Sequence, residues 1–182
     1  VLTLPMLSSA YSVNSHEEVI IGHNSHRYKV DLSWGNLDPA NVPVKDCHEM
    51  VQYSKGRKIL LTNHTKNNVI IYDKSGRLLD TWVTNYPGAQ GLTLSMENGE
   101  DFLFITDYER HQVIKTTISG TEVLTIDYPK ASGKYEKMED FKPTETAVLP
   151  NGEFYVADGY GNQYISHYDP NGELLADRKS VV

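Results

Sequence analysis

The stretch VADGYGNQYISHYDPNGELL, residues 156–175, decides how the chain is read. Asp158-Gly159-Tyr160-Gly161-Asn162 stands between two short apolar runs, and a Pro-Asn-Gly turn follows before a further apolar run. The same plan occurs twice upstream, as LLTNHTKNNVIIYDKSGRLLDTW (60–82) and FITDYERHQVIKTTISGTEVLTI (104–126). In each copy an apolar strand ends at Asn63, Asp107 or Asp158. A polar turn follows, then a second strand carrying Val69, Val113 or Ile165, a turn ending at Gly76, Gly120 or Gly172, and a third strand.

One more short strand precedes each copy: HEMVQYS (48–54), GLTLSMENG (91–99) and TETAVLPNG (144–152). Two of these end in Asn-Gly, a strong hairpin signal. That makes four strands per unit. The marker glycines are 44 and 52 residues apart, close to the ~40–50 residues of a propeller blade. Four antiparallel strands at that period, with no helical periodicity between them, predict an all-β chain of β-propeller blades. A sandwich also uses short strands, but it would not repeat its turn chemistry in register.

The expected organisation is a remnant of an export signal at 1–12 and an N-terminal extension at 13–43, followed by blade 1 at 44–86, blade 2 at 87–130, and a linker loop with blade 3 at 131–182. Within the extension, HRYKVDLSWG (26–35) alternates Tyr28, Val30 and Leu32 with polar neighbours, as the outer strand of a closing blade would. Three blades amount to half of a six-bladed ring. Either the chain is cut short, or two copies pair as a homodimer to close the ring.

Composition narrows the partners. The 182 residues are 39% hydrophobic and 23% charged, which fits one globular domain. The formal charge of −7, with no basic cluster denser than Lys55-Gly56-Arg57-Lys58, argues against nucleic acid and against an anionic membrane surface. No run approaches the ~18 apolar residues of a membrane span. Cys47 is the only cysteine, so an intramolecular disulfide is ruled out. The opening VLTLPMLSSAYS is apolar through Leu7 and then offers Ser8-Ser9-Ala10, as at a signal-peptidase site, which predicts an exported chain, periplasmic or secreted. The alternative for this segment is a buried strand.

FKPTETAVLPNGEFYVADGYGNQYISHYDPNGEL (141–174) and GLTLSMENGEDFLFITDYERHQVIK (91–115) resemble the NHL-repeat propellers, and among them the peptidyl-α-hydroxyglycine α-amidating lyases, over roughly residues 44–176. The resemblance implies a six-bladed propeller with zinc held by three histidines at the starts of inner strands, and a Tyr and an Arg beside the metal. A structural calcium is a further expectation. Zinc with an open coordination position acts as a Lewis acid or activates a bound oxygen nucleophile. Position by position, the Tyr falls on Tyr160, a candidate general base, and the first zinc histidine falls on Gln90. The Arg position falls near Asn63 to Thr65, where His64 becomes the candidate contact at the rim. The family's cysteine beside the Tyr is replaced by Gly161, and its partner position by Lys142.

His48 opens the inner strand of blade 1 and is a second candidate metal ligand beside Gln90. Cys47 and His48 are adjacent on a strand and point to opposite faces, so they do not share a metal, and Cys47 reads as a small core residue. Each candidate also has a plain reading: Tyr160 as a turn residue with one hydrogen bond, His48 as a polar group near the pore, His111 as a strand cap, and His167 as a surface residue. His16, His23 and His26 belong to the solvated extension. Asp107 and Asp158 could pair as carboxylates, but Asn63 in the same place favours turn capping. The run KASGKYEKMEDFK (130–142) reads as a solvated loop. No Gly-x-Ser-x-Gly elbow, phosphate-binding Gly loop or zinc-finger spacing is present. The expected ligand is a peptide or other small molecule in the axial cavity; the other reading is a non-catalytic exported propeller that binds a peptide, glycan or protein partner.

Overall fold

A computed structural model of the chain describes residues 18–179. The expected export-signal remnant at 1–12 and His16 lie outside the described residues. The chain divides into two compact units that meet at Trp34/Gly35. In the first, β1 (Ile20–His23) and β2 (His26–Lys29) form an antiparallel hairpin whose strand residues are all exposed. The stretch 26–35 is strand only as far as Lys29. Beyond it Asp31 closes a turn, its Oδ1 accepting the Ser33 N–H at 2.9 Å and hydroxyl at 2.6 Å.

The second unit holds three four-stranded antiparallel sheets, each a simple meander. Blade 1 is β3 (Cys47–Gln52), β4 (Lys58–Thr62), β5 (Val69–Tyr72) and β6 (Leu78–Trp82); blade 2 is β7 (Ala89–Glu97), β8 (Glu100–Asp107), β9 (Gln112–Thr117) and β10 (Glu122–Ile126). Blade 3 is β11 (Glu145–Val148), β12 (Phe154–Ala157), β13 (Tyr164–Tyr168) and β14 (Leu174–Lys179). The inner strands are neighbours in space, β3 beside β7 and β7 beside β11. Two single 3₁₀ turns, Lys130–Ser132 and Met138–Asp140, interrupt the loop into blade 3. No helix among the described residues is long and apolar enough to cross a membrane.

The pleat explains why the middle blade reads as nearly continuous apolar sequence. Successive side chains on a strand point to opposite faces, so Leu103 and Ile105 of β8 join Ile59, Leu61 and Ile71 of blade 1 in one core, while Phe104 joins Phe154 and Val156 of blade 3 in another. Blade 2 is therefore covered on both faces. Phe154 is wedged between Phe104 and Tyr168, with ring centroids 5.0 and 5.2 Å away. The loop 130–142 differs from its expected solvated character: Tyr135 and Phe141 are buried in the second core and pack edge-on at 5.4 Å.

The recurring strand-end residue is a stitch. Asn63 Oδ1 accepts the Asp46 N–H at 3.1 Å, Asp107 Oδ1 the Gly88 N–H at 3.1 Å, and Asp158 Oδ1 the Lys142 N–H at 2.8 Å. In every blade it ties the second strand's end to the segment leading into the first. Asp107 also caps its own turn through the Glu109 and Arg110 N–H groups, and Asp158 does so through Asn162 and the Tyr135 hydroxyl. Turn capping, the reading favoured by Asn63, is what these side chains do.

Candidate functional site

The inner strands carry irregularities at their beginnings. The β3–β4 register slips between Cys47 and Glu49, and the β7–β8 register between Ala89 and Leu92. His48 and Gln90 thus both sit at bulges, which locally free a side chain from the ladder and re-aim it. His48 is exposed and Gln90 half-buried. Gly91, beside Gln90, lies close against the segment that enters β11: a Cβ there would stand 2.5 Å from the Thr144 carbonyl oxygen and 2.9 Å from Thr106 Oγ1. Only a residue without a side chain permits this contact.

That approach brings two carboxyl groups onto consecutive residues of β7. Glu49 of β3 accepts the Leu92 N–H on Oε2 at 2.7 Å, and Glu145 of β11 accepts the Thr93 hydroxyl on Oε1 at 2.9 Å and its neighbour's Thr146 N–H at 2.8 Å. The two carboxyls are near enough that each feels the other, and Glu145 is one of the groups that raise Glu49. Burial pushes the Glu49 carboxyl above its usual range, the Leu92 N–H pulls the other way, and the neighbouring Glu145 raises it again. This pair spans blades 1, 2 and 3 at their inner strands.

At the rim, Tyr160 is 58% exposed, its N–H donates to the Lys142 carbonyl at 3.4 Å, and its ring meets that of Tyr108 edge-on at 5.8 Å. Burial pushes the Tyr108 phenol up, and the charges of Glu109, Asp107 and Asp46 add to it. Asp46 of blade 1, Tyr108 of blade 2 and Tyr160 of blade 3 therefore share one neighbourhood. His64 lies in the turn of blade 1, where its Nδ1 accepts the Lys66 N–H at 3.3 Å and its own N–H donates to Thr62 Oγ1 at 3.1 Å.

Among the described residues, no hydrogen bond or ring contact joins any two of Tyr160, His64, His48 and Gln90. His48 and Gln90 supply one imidazole and one amide, and among the described residues no group of three His, Cys, Asp or Glu is placed to hold a metal ion. The donors present fit neither a three-histidine zinc site nor a calcium cage. Cys47 departs from its expected place in the core. It is exposed, because β3 turns that face outward, and partial burial together with Asp46 still pushes its thiol up. His111 does cap: its Nδ1 donates to the Phe141 carbonyl at 2.7 Å, which ties blade 2 to the linker. His167 is half-buried, hydrogen-bonded to Glu153 at 2.9 Å and stacked on Tyr155 at 4.3 Å.

Glu49, Glu145 and Tyr108 were missed as candidates. The glutamates are visible in HEMVQ and TETAV, but nothing in either segment says that they meet over β7.

No family model matches the chain. It is 37% identical over 105 residues to peptidyl-α-hydroxyglycine α-amidating lyase 1 of Drosophila melanogaster, a match that covers 56% of this chain and 18% of that protein. It is 26% identical over 169 residues to a probable peptidyl-α-hydroxyglycine α-amidating lyase of Caenorhabditis elegans, covering 92% of this chain and 43% of that one. The chain spans less than half the length of either relative. Among solved structures, an inactive H270A virginiamycin B lyase from Staphylococcus aureus with quinupristin superimposes with a TM-score of 0.55 at 14% identity, over 85% of this chain and 44% of that one. The dihydro-haem d1 dehydrogenase NirN does so with a TM-score of 0.51 at 7% identity, over 74% of this chain and 28% of that one. Both structural likenesses speak to the fold. The chain is a β-propeller chain whose sequence relatives are the peptidyl-α-hydroxyglycine α-amidating lyases.

Proposed function

We propose that these blades form part of the peptide site of a lyase-type propeller that breaks the Cα–N bond of a peptidyl-α-hydroxyglycine. In that reaction the hydroxyl oxygen loses its proton and forms the carbonyl of a glyoxylate product. The electron pair of the broken bond leaves on the amide nitrogen, which gains a proton. One group must take a proton and another must give one. The observation that carries the reading is the approach of the Glu49 and Glu145 carboxyls over β7 on the inner strands, where burial raises Glu49 above its usual range. A carboxyl raised above its usual range is suited to give a proton as general acid. Tyr160 at the rim is the proposed base toward the substrate hydroxyl, and His64 a rim contact for the peptide. His48 and Gln90 are the donors this chain would offer to zinc; being two, they carry no step here. The reading includes an exported location, periplasmic or secreted.

The test is glyoxylate release from a peptidyl-α-hydroxyglycine by the protein with zinc in excess. Glu49→Gln and Tyr160→Phe are each expected to lower kcat by about 10²–10⁴ if the groups act as acid and base. Absence of glyoxylate from the unmutated protein would sink the lyase reading. A second reading, a propeller that binds a peptide, glycan or protein without turnover, is favoured by the amide of Gln90 at a ligand position and by the lack of a guanidinium at 63–65. It predicts peptide binding without glyoxylate, with the affinity nearly unchanged in Tyr160→Phe.

A further inference from the structure

A spacious cavity lies away from the candidate site residues. It is a cleft of about 820 Å³ between blades 1 and 2, where the β3–β4 turn (Tyr53 to Arg57) faces the turns that join β7 to β8 and β9 to β10. These turns stand at the far end of the inner strands. The nine residues of β7 run from Ala89, next to the rim, to Glu97 beside the cleft, a distance of about 26 Å at ~3.3 Å per residue. The cleft is therefore a second site and not an extension of the axial one.

Its lining has an apolar floor and separated charges. Tyr53 and Ile71 are buried at the base, with Phe102 and Ile118 half-buried beside them. Lys55 and Arg57 stand on the blade 1 turn; Glu100 and Asp101 stand on blade 2, and Asp80 comes from β6. Opposite charges share this lining, yet among the described residues none of these five forms an ion pair. The Arg57 guanidinium instead donates to the Tyr53 hydroxyl at 3.1 Å, which leaves its charge uncompensated. Asp101 is bound on one side only: its Oδ2 accepts from the Ser54 N–H at 3.2 Å and from the Ser54 hydroxyl, while its Oδ1 is enclosed and has no donor.

We infer that this cleft binds a small zwitterion of dipeptide size, with its carboxylate toward Lys55 and Arg57, its ammonium toward Glu100 and Asp101, and an apolar side chain over Ile71 and Ile118. A cavity of this volume lies within the ~300–1,000 Å³ range of small-molecule sites. A molecule carrying both charges satisfies both walls at once, which neither a simple anion nor a simple cation does. The inference uses no residue of the proposed lyase site, so each stands or falls separately.

The test is a titration of the ¹⁵N-labelled 182-residue chain with the dipeptide alanyl-leucine, with its N-acetyl derivative and with its C-terminal amide, followed by amide chemical shifts. The zwitterion is expected to shift the amides of Ser54 to Arg57 and of Gly99 to Phe102 saturably. Each capped form should bind at least about tenfold more weakly, the loss of roughly one charge contact. The exposed double change Lys55→Gln with Arg57→Gln should reduce binding of the zwitterion by a similar factor and leave the C-terminal amide unaffected. Glu100→Gln should do the converse, weakening the amide and leaving the N-acetyl derivative unaffected. No saturable shift, equal affinity for all three compounds, or shifts centred on Tyr108 and Tyr160 would each overturn the inference.

Discussion

Replacing Gly91 by Ala tests whether the axial face is held together by the close approach of β11 to β7. The new Cβ would lie 2.5 Å from the Thr144 carbonyl oxygen, where ordinary contact begins near 3.4 Å, so the backbone at 144–145 must retreat by about 0.9 Å. The same retreat would stretch the Thr93–Glu145 bond from 2.9 Å to about 3.8 Å, beyond hydrogen-bonding range. The Thr146 hydroxyl also donates to Thr93 Oγ1 at 2.8 Å and would lose that contact in the same movement. Two lost bonds at ~0.5–1.5 kcal/mol each and ~1–3 kcal/mol of overpacking outweigh the ~0.4–1 kcal/mol that Ala gains over Gly through the unfolded chain. The net loss is about 2–4 kcal/mol, or a Tm lowered by roughly 5–15 °C for a chain of this size. Thermal unfolding followed by circular dichroism measures it, with Thr93→Val as comparator, since that change removes the hydrogen bonds and adds no clash. Gly91→Ala should fall below Thr93→Val. A Tm within about 2 °C of the unmutated protein would show that β11 does not press on β7 as described.

The raised Glu49 carboxyl has a signature in pH. Because the folded state holds the Glu49 carboxyl above its usual range, the native chain binds more protons than the unfolded chain in that window, and stability falls as pH rises from the ordinary carboxylate range through the raised value. Urea midpoints against pH should show this slope and lose it in Glu49→Gln; an unchanged slope would locate the proton elsewhere. At the strand-end stitch, Asp107→Ala leaves the Gly88, Glu109 and Arg110 N–H groups without their acceptor and should lower stability by about 2–4 kcal/mol. Asp107→Asn should cost under about 1 kcal/mol, since an amide oxygen accepts the same bonds, as Asn63 does in blade 1; equal losses in urea denaturation would argue against capping. Phe154→Ala empties a fully buried position between Phe104 and Tyr168 and should lower stability by about 3–5 kcal/mol. A loss under about 1 kcal/mol would mean that blades 2 and 3 do not share this core.

The fold was legible because each blade is a local object. Its strands are joined by turns whose residues announce themselves, and Asn63, Asp107 and Asp158 recur because every blade needs the same stitch. The burial of Phe104 against one neighbouring blade and of Ile105 against the other follows from a period of two, which sequence displays. The linker was less legible. Tyr135 and Phe141 sit among Lys, Glu and Gly in a polar run, and their burial depends on the Asp158 carboxylate and on the His111 contact, which reach them from 23 and 30 residues away. Cys47 illustrates the same limit from the other side: a small apolar residue on a strand looks internal until the bulge at His48 fixes which face it takes.

The axial pair was illegible for a reason that the repeat itself makes clear. Counting back two residues from the stitch gives Leu61, Ile105 and Val156, and their partners on the inner strands are Glu49, Leu92 and Thr146. Two of those partners are buried, an aliphatic and a hydroxyl, and the third is a glutamate. Counting back one residue gives Thr62 and Ala157, whose partners are Cys47 and Glu145. Both glutamates therefore break the pattern that their own position follows in another blade. A repeat aligned by its turns hides such departures, because the turns are where the copies agree; aligned by strand register, it exposes them. Structural residues of a propeller recur from blade to blade, whereas an axial site is assembled once from unlike contributions. The positions where register-equivalent residues disagree are thus the ones to mutate first, and in this chain they lead to Glu49 and Glu145, not to the conspicuous Asp-Gly-Tyr of blade 3.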